Sequence, residues 1–236
     1  VGRALYWSVL PPYRFDQLFR QMESVGVRST WIIALTALFS GAVFALQAGK
    51  VYALFNMESM VGATVGLSMT REMGPVFAAI MVTARSCSAM AAELGTMRVT
   101  EQIDALETMA VDPIHFLVVP RVVTCTIMVP LLTMLYDYVA VLGSYIVGIY
   151  LLGIKEGPFL NRLYYYVDAD DIWGGLLKAA IFGFLIAAIS CYMGYYTRGG
   201  AQGVGRSTTR AVVFSAVTVL VVDYFLTTWI LKYISD

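Results

Sequence analysis

Five apolar stretches, at roughly residues 30–55, 61–97, 116–153, 174–196 and 211–231, dominate the chain. Each is long enough to cross a hydrocarbon layer as a helix, which takes about 20 residues. Inside lipid every backbone N–H and C=O must find a partner within the protein, so only helices and closed barrels span it. Runs of this length point to helices. The chain is therefore expected to be an all-α integral membrane protein with five transmembrane helices. Its composition agrees. Of 236 residues, 59% are hydrophobic and 14% charged, with a mean hydropathy of +0.72, against about 45–50% apolar and 25% charged in soluble domains. The formal net charge is zero, which gives no reason to expect a nucleic-acid partner. Cys87, Cys125 and Cys191 lie far apart in apolar surroundings, and His115 is the single histidine. Neither a disulfide nor a metal site is expected.

The segments between the stretches complete the architecture. Pro11, Pro12 and several charges stand where a signal peptide would need an apolar core. Residues 3–26, most clearly from Pro12 onward, are amphipathic, with Phe15, Leu18, Phe19, Met22 and Val25 at helical spacing. They suit a helix lying in the bilayer interface, or a surface helix packed on the spans. The second stretch is too long for a simple crossing and is expected to kink at Pro75. The third, nearly forty residues, reads as one long helix or as a tight hairpin. One helix places Arg14, Arg20, Arg28, Arg98, Arg121, Arg198, Arg206 and Arg210 on one side, and the positive-inside rule favours that arrangement. It puts the N-terminus inside and the C-terminus outside. No linker or repeat divides the chain, so one domain spans 1–236.

Between the second and third spans, residues 98–113 are polar and acidic. Thr100 is placed to cap a short helix there, with Glu101 near its positive end, and Asp112–Pro113 ends it. Arg71 and Glu72 lie well inside the second stretch, where a charge costs at least about 2.5–3.5 kcal/mol to insert. They read either as polar groups on a cavity wall, with the arginine holding a phosphate oxygen, or as polar glue between helices. Lys178 and Asp223 are opposite charges on the fourth and fifth spans and form a candidate intramembrane ion pair, with Asp137 as a competing partner. Phe44, Tyr52 and Phe55 suit an acyl-chain route or an interfacial aromatic belt. No P-loop, G-x-S-x-G or H-E-x-x-H motif is present, so enzymatic activity has little support.

The run "REMGPVFAAIMVTARSCSAMAAELGTMRVTEQIDALETMAVDP", followed by "PRVV" and "GRSTTRAVV", closely resembles the MlaE-type permease family of ABC lipid transporters, including the Mla phospholipid transport system. The resemblance implies a homodimeric permease in the bacterial inner membrane, without a cofactor of its own. A separate ABC ATPase subunit would bind ATP and Mg. A periplasmic MCE-domain protein would sit on the outer face, and a small STAS-domain protein often joins the ATPase. The cargo would be phospholipid, moved between inner and outer membranes to maintain outer-membrane lipid asymmetry. The resemblance also implies a lipid pocket lined by Phe44, Val51, Tyr52, Phe55, Arg71, Glu72 and Met73. The polar segment becomes a coupling helix that meets the ATPase through Arg98, Glu101, Gln102, Asp104, Ala105, Glu107 and Thr108. An ion-coupled secondary transporter or channel, with Lys178, Asp223 and Asp137 as the ion path, is the first rival reading. A membrane lipid enzyme using His115 is the second.

Overall fold

The computed structural model describes residues 15–234 and, among them, every regular element is helical. The part of the amphipathic segment before Phe15 lies outside the described residues. What is described of it forms α1 (Phe15–Met22), which runs through a π-helical turn (Glu23–Val27) directly into α2 (Arg28–Ala53). The described part of the amphipathic segment 3–26 is thus continuous in helix with the first stretch, from about residue 30. Gly26 is buried against Met128, and a Cβ there would strike the Met128 methyl group. It serves close packing rather than a turn.

One face of α2 is buried with a strict four-residue period: Ser29, Ile33, Ala37, Gly41, Ala45 and Gly49. Small residues at this spacing let two backbones approach closely where no water is present to drive association. The partner is α5 (Ile114–Leu151), a single helix of 38 residues rather than a hairpin. The fit is reciprocal. A Cβ on Gly41 would collide with the Ala140 carbonyl, and one on Gly143 with the Leu38 carbonyl. Gly41→Leu is expected to cost at least about 3 kcal/mol, the upper range for overpacking a core. Thermal melting in detergent checks this. Gly157→Leu, at a position with nothing within 4 Å of its Cβ, serves as the control and melts like the wild type.

The second span belongs to α3 (Glu58–Val99), 42 residues long, or about 63 Å. Its first turns have a neighbour besides the long helices. They pack against α6 (Glu156–Tyr166), an element absent from the sequence-based expectation. Phe159 of α6 is fully buried beside Gly62 and Gly148 and stacks edge-on against Tyr145. After α3 the chain turns into α4 (Gln102–Thr108), shorter than the expected 98–113 because Glu101 and Ala110 adopt left-handed backbone, at φ 60° and 59°. Thr100 caps nothing, since its hydroxyl donates back to the Thr96 carbonyl. The last two spans are α7 (Ala169–Tyr195) and α8 (Gly200–Ile234). Across the bundle α2 packs on α5, α5 on α7 and α7 on α8, while α3 contacts all of them. α4 and α6 therefore lie at opposite ends of α3.

Candidate functional site

Pro75 shapes the polar centre of the molecule. Proline has no N–H to give to the carbonyl four residues before it, and that residue is Arg71. The helix accommodates this with a π-helical turn over Met69–Met73, after which Pro75 sits in the first turn of the resumed α-helix. The released Arg71 carbonyl points to α7, where the Lys178 ammonium donates to it at 3.0 Å. The expected disturbance at Pro75 is thus a local change of helix type that creates an acceptor.

Lys178 is buried and spends its three protons fully. Besides the Arg71 carbonyl it donates to Glu72 Oε2 at 2.9 Å and to Thr227 Oγ1 at 2.7 Å. Thr227 in turn donates to Glu72 Oε2 at 3.1 Å. Asp223 Oδ1 lies 3.5 Å from the ammonium, within ion-pair distance, but finds no hydrogen-bond donor among the described residues. The expected Lys178–Asp223 contact therefore exists as a charge pair, while Glu72 takes the hydrogen bond. Asp137 lies elsewhere, against Gly74. Arg71 Nε donates to Asp171 Oδ1 at 2.6 Å, and the Asp171 side chain is only 2% exposed. Asp171 also accepts from the Asp168 backbone N–H at 3.2 Å, closing a capping box that starts α7. Gly175 permits all this by letting α7 approach the Thr70 carbonyl.

These groups line a narrow cleft of about 20 Å³, room for little more than one water, bounded by Arg71, Glu72, Asp170, Asp171 and Lys178. Arg71 and Glu72 each keep 41% of their side chains exposed, so the cleft presents one open cation and one open carboxylate over a buried ammonium. Its level in the bundle differs from the sequence expectation. Arg71 meets the first turn of α7, and Thr227 stands close to the end of α8, so the cluster lies toward the α6 end rather than at the middle of a span. The first turns of α3, occupied with α6, account for the difference.

The other expected lipid residues do not join this cleft. Tyr52 bonds Thr64 Oγ1 at 2.7 Å, where α2 meets α3. Phe44 and Met73 pack half-buried on the core. Val51 and Phe55 point outward, 54% and 68% exposed. The polar partners of Arg71 and Glu72 are instead on α7 and α8. Asp171 and Thr227 were not anticipated; the only signal was the Asp168–Asp171 capping pattern, which marks a helix start but not a partner.

At the other end, α4 is held by Ile103, which is fully buried with Leu94, Leu117 and Cys191. Arg98 pairs with Asp104 and lies 5.9 Å from the Tyr195 ring centre, a cation–π distance. Glu107 accepts from the Tyr195 hydroxyl at 3.4 Å. Gln102, Ala105 and Thr108 are exposed, as is Glu101 at the turn. Met109, 72% exposed, adds an apolar contact that the polar pattern of this segment concealed. Three of the expected coupling residues are thus engaged within the chain, and the rest form an open surface.

Residues 18–229 match the family described as permease MlaE. A probable ABC transporter permease protein of Rickettsia conorii is 46% identical over 219 residues, covering 93% of this chain and 85% of the relative. The intermembrane phospholipid transport system permease protein MlaE of Haemophilus influenzae is 37% identical over 214 residues, covering 90% and 82%. The chloroplastic protein trigalactosyldiacylglycerol 1 of Arabidopsis thaliana is 35% identical over 217 residues, covering 92% of this chain and 62% of the relative.

Proposed function

The chain belongs to the MlaE permease family, and from that premise we propose that it is the permease subunit of an ABC transporter that moves phospholipid between the inner and outer membranes of a bacterial envelope. The names of its relatives support the transporter type and the cargo class. The observation that carries the mechanism is the continuity of α3. One helix bears Arg71 and Glu72 toward one end and leads into α4 at the other.

In this reading α4 seats on the ATPase subunit, which binds ATP and Mg, and the N-terminus lies in the cytoplasm with the C-terminus in the periplasm. Movement of α4 passes along α3 to the cleft under Arg71. Lipid phosphate meets the exposed part of the Arg71 guanidinium, and acyl chains run along the Phe44–Phe55 side of α2. The chain works as a homodimer. Large apolar side chains on α2 and α8, among them Trp31, Phe39, Tyr224 and Phe225, are more than half exposed and suit either a second copy or lipid. A periplasmic MCE-domain protein receives or delivers lipid on the outer face, a STAS-domain protein accompanies the ATPase, and the net effect maintains outer-membrane lipid asymmetry.

Co-purification tests the cargo and the partners together. The complex is expected to carry phospholipid and an ATPase subunit. Arg71→Ala should lower retained phospholipid by about tenfold, the worth of one charge-assisted contact. Unchanged lipid in the variant assigns Arg71 to packing through Asp171 alone.

A further inference from the structure

A second charged cleft lies near the end of the bundle that holds α4. Gln17, Arg20 and Gln21 of α1 face Phe116, Pro120 and Arg121 of α5 across a cleft of about 140 Å³. Arg121 is unusual there. Its side chain is 6% exposed, and one nitrogen, Nη2, donates to Glu93 Oε2 at 2.8 Å. Nε and Nη1 are buried and have no acceptor among the described residues. They carry three N–H groups between them. A buried guanidinium with that many unmet donors is costly, and buried polar groups in folded proteins are nearly always satisfied. Glu93 does not neutralise the place alone, because its side chain is 58% exposed and Arg20 adds a second positive charge. Two arginines against one carboxylate leave an excess of one positive charge. The Gln17 and Gln21 amides add neutral donors, and Phe116 and Pro120 supply an apolar wall.

The missing component is therefore an anion with several acceptor oxygens, seated where an amphipathic helix joins the start of a span. We propose that this cleft binds a phosphate group, as a second anion site separate from Arg71. Glu93 and Arg71 are 22 residues apart on α3, about 33 Å along the helix, so one small ligand does not serve both. The phosphate belongs either to a phospholipid headgroup in the adjoining leaflet or to free phosphate. The assignment stands whether or not the chain is a transporter.

Native mass spectrometry of the full chain in detergent tests it, with short-chain phosphatidylglycerol, the matching diacylglycerol and inorganic phosphate as probes. Beside the lipid held at Arg71, one further equivalent of phosphatidylglycerol is expected that diacylglycerol does not displace. Arg20→Ala and Arg121→Gln should each weaken it by about tenfold, while Arg71→Ala leaves it in place. Resistance to inorganic phosphate identifies a lipid headgroup, and displacement by it identifies free phosphate; either supports the site. Arg20 is exposed, so its variant remains informative if Arg121→Gln fails to fold. Binding of every probe to Arg20→Ala and Gln21→Leu at wild-type strength overturns the proposal.

Discussion

Lys178→Met is expected to destabilise the protein by about 3–5 kcal/mol, the cost of removing one partner from a buried ion pair. For a chain of this size that corresponds to a fall in melting temperature of at least about 6 °C. The cause is local. Lys178 contacts the Arg71 carbonyl, Glu72, Thr227 and the charge of Asp223 at once. Without it, two carboxylates face each other across a low-dielectric site, and the carbonyl released by Pro75 loses its donor. Glu72→Gln placed on top of Lys178→Met should recover part of the loss, because it removes one uncompensated charge. Asp223→Asn should cost much less, since Asp223 receives none of the three ammonium protons. Melting of Lys178→Met within about 2 °C of the wild type would contradict this account of the cluster.

The second large effect belongs to α4. Ala105→Arg is expected to reduce lipid transport by the assembled transporter by at least about tenfold, as a bulky charge in the centre of a docked surface does. The variant should insert and melt normally, because Ala105 is exposed and touches none of the groups that hold α4 in place. Charge reversal at Glu101 should act in the same way. Reversal at Asp104 or Glu107 should uncouple as well, but each also breaks a contact inside the chain, with Arg98 or Tyr195, so stability will fall with activity. The readout is ATP hydrolysis measured beside lipid movement. Persisting hydrolysis without transport fits the coupling role, and normal lipid-stimulated turnover in all of these variants excludes it.

What the sequence made legible follows from length and composition. The five spans were readable because lipid imposes about 20 apolar residues on each crossing, and α5 as one helix followed from the placement of arginines. Shorter elements were harder to read. α6 carries only Phe159, Leu160 and Leu163 as aliphatic or phenyl side chains, hidden among tyrosines and charges. The continuity of α1 with α2 leaves no mark in the sequence, because the role of Gly26 between them is set by Met128 on another helix. The charged cluster was half legible. Lys178 and Asp223 stood out as intramembrane charges of opposite sign, but the hydrogen bond to Glu72 depends on how α7 meets the π-helical turn, and pairing across spans leaves no local trace. Thr100 had the right chemistry for a cap and a nearer acceptor in Thr96.

In the proposed mechanism, ATP-driven movement of α4 is carried by α3 to a lipid held near Arg71. Proteoliposomes containing this chain, its ATPase and its envelope partner, loaded with labelled phospholipid, test it most directly. Lipid is expected to leave the vesicles only when ATP is hydrolysed, and Ala105→Arg to stop the movement while bound lipid is retained. Equal lipid movement by the chain alone, without ATPase or ATP, would contradict this mechanism.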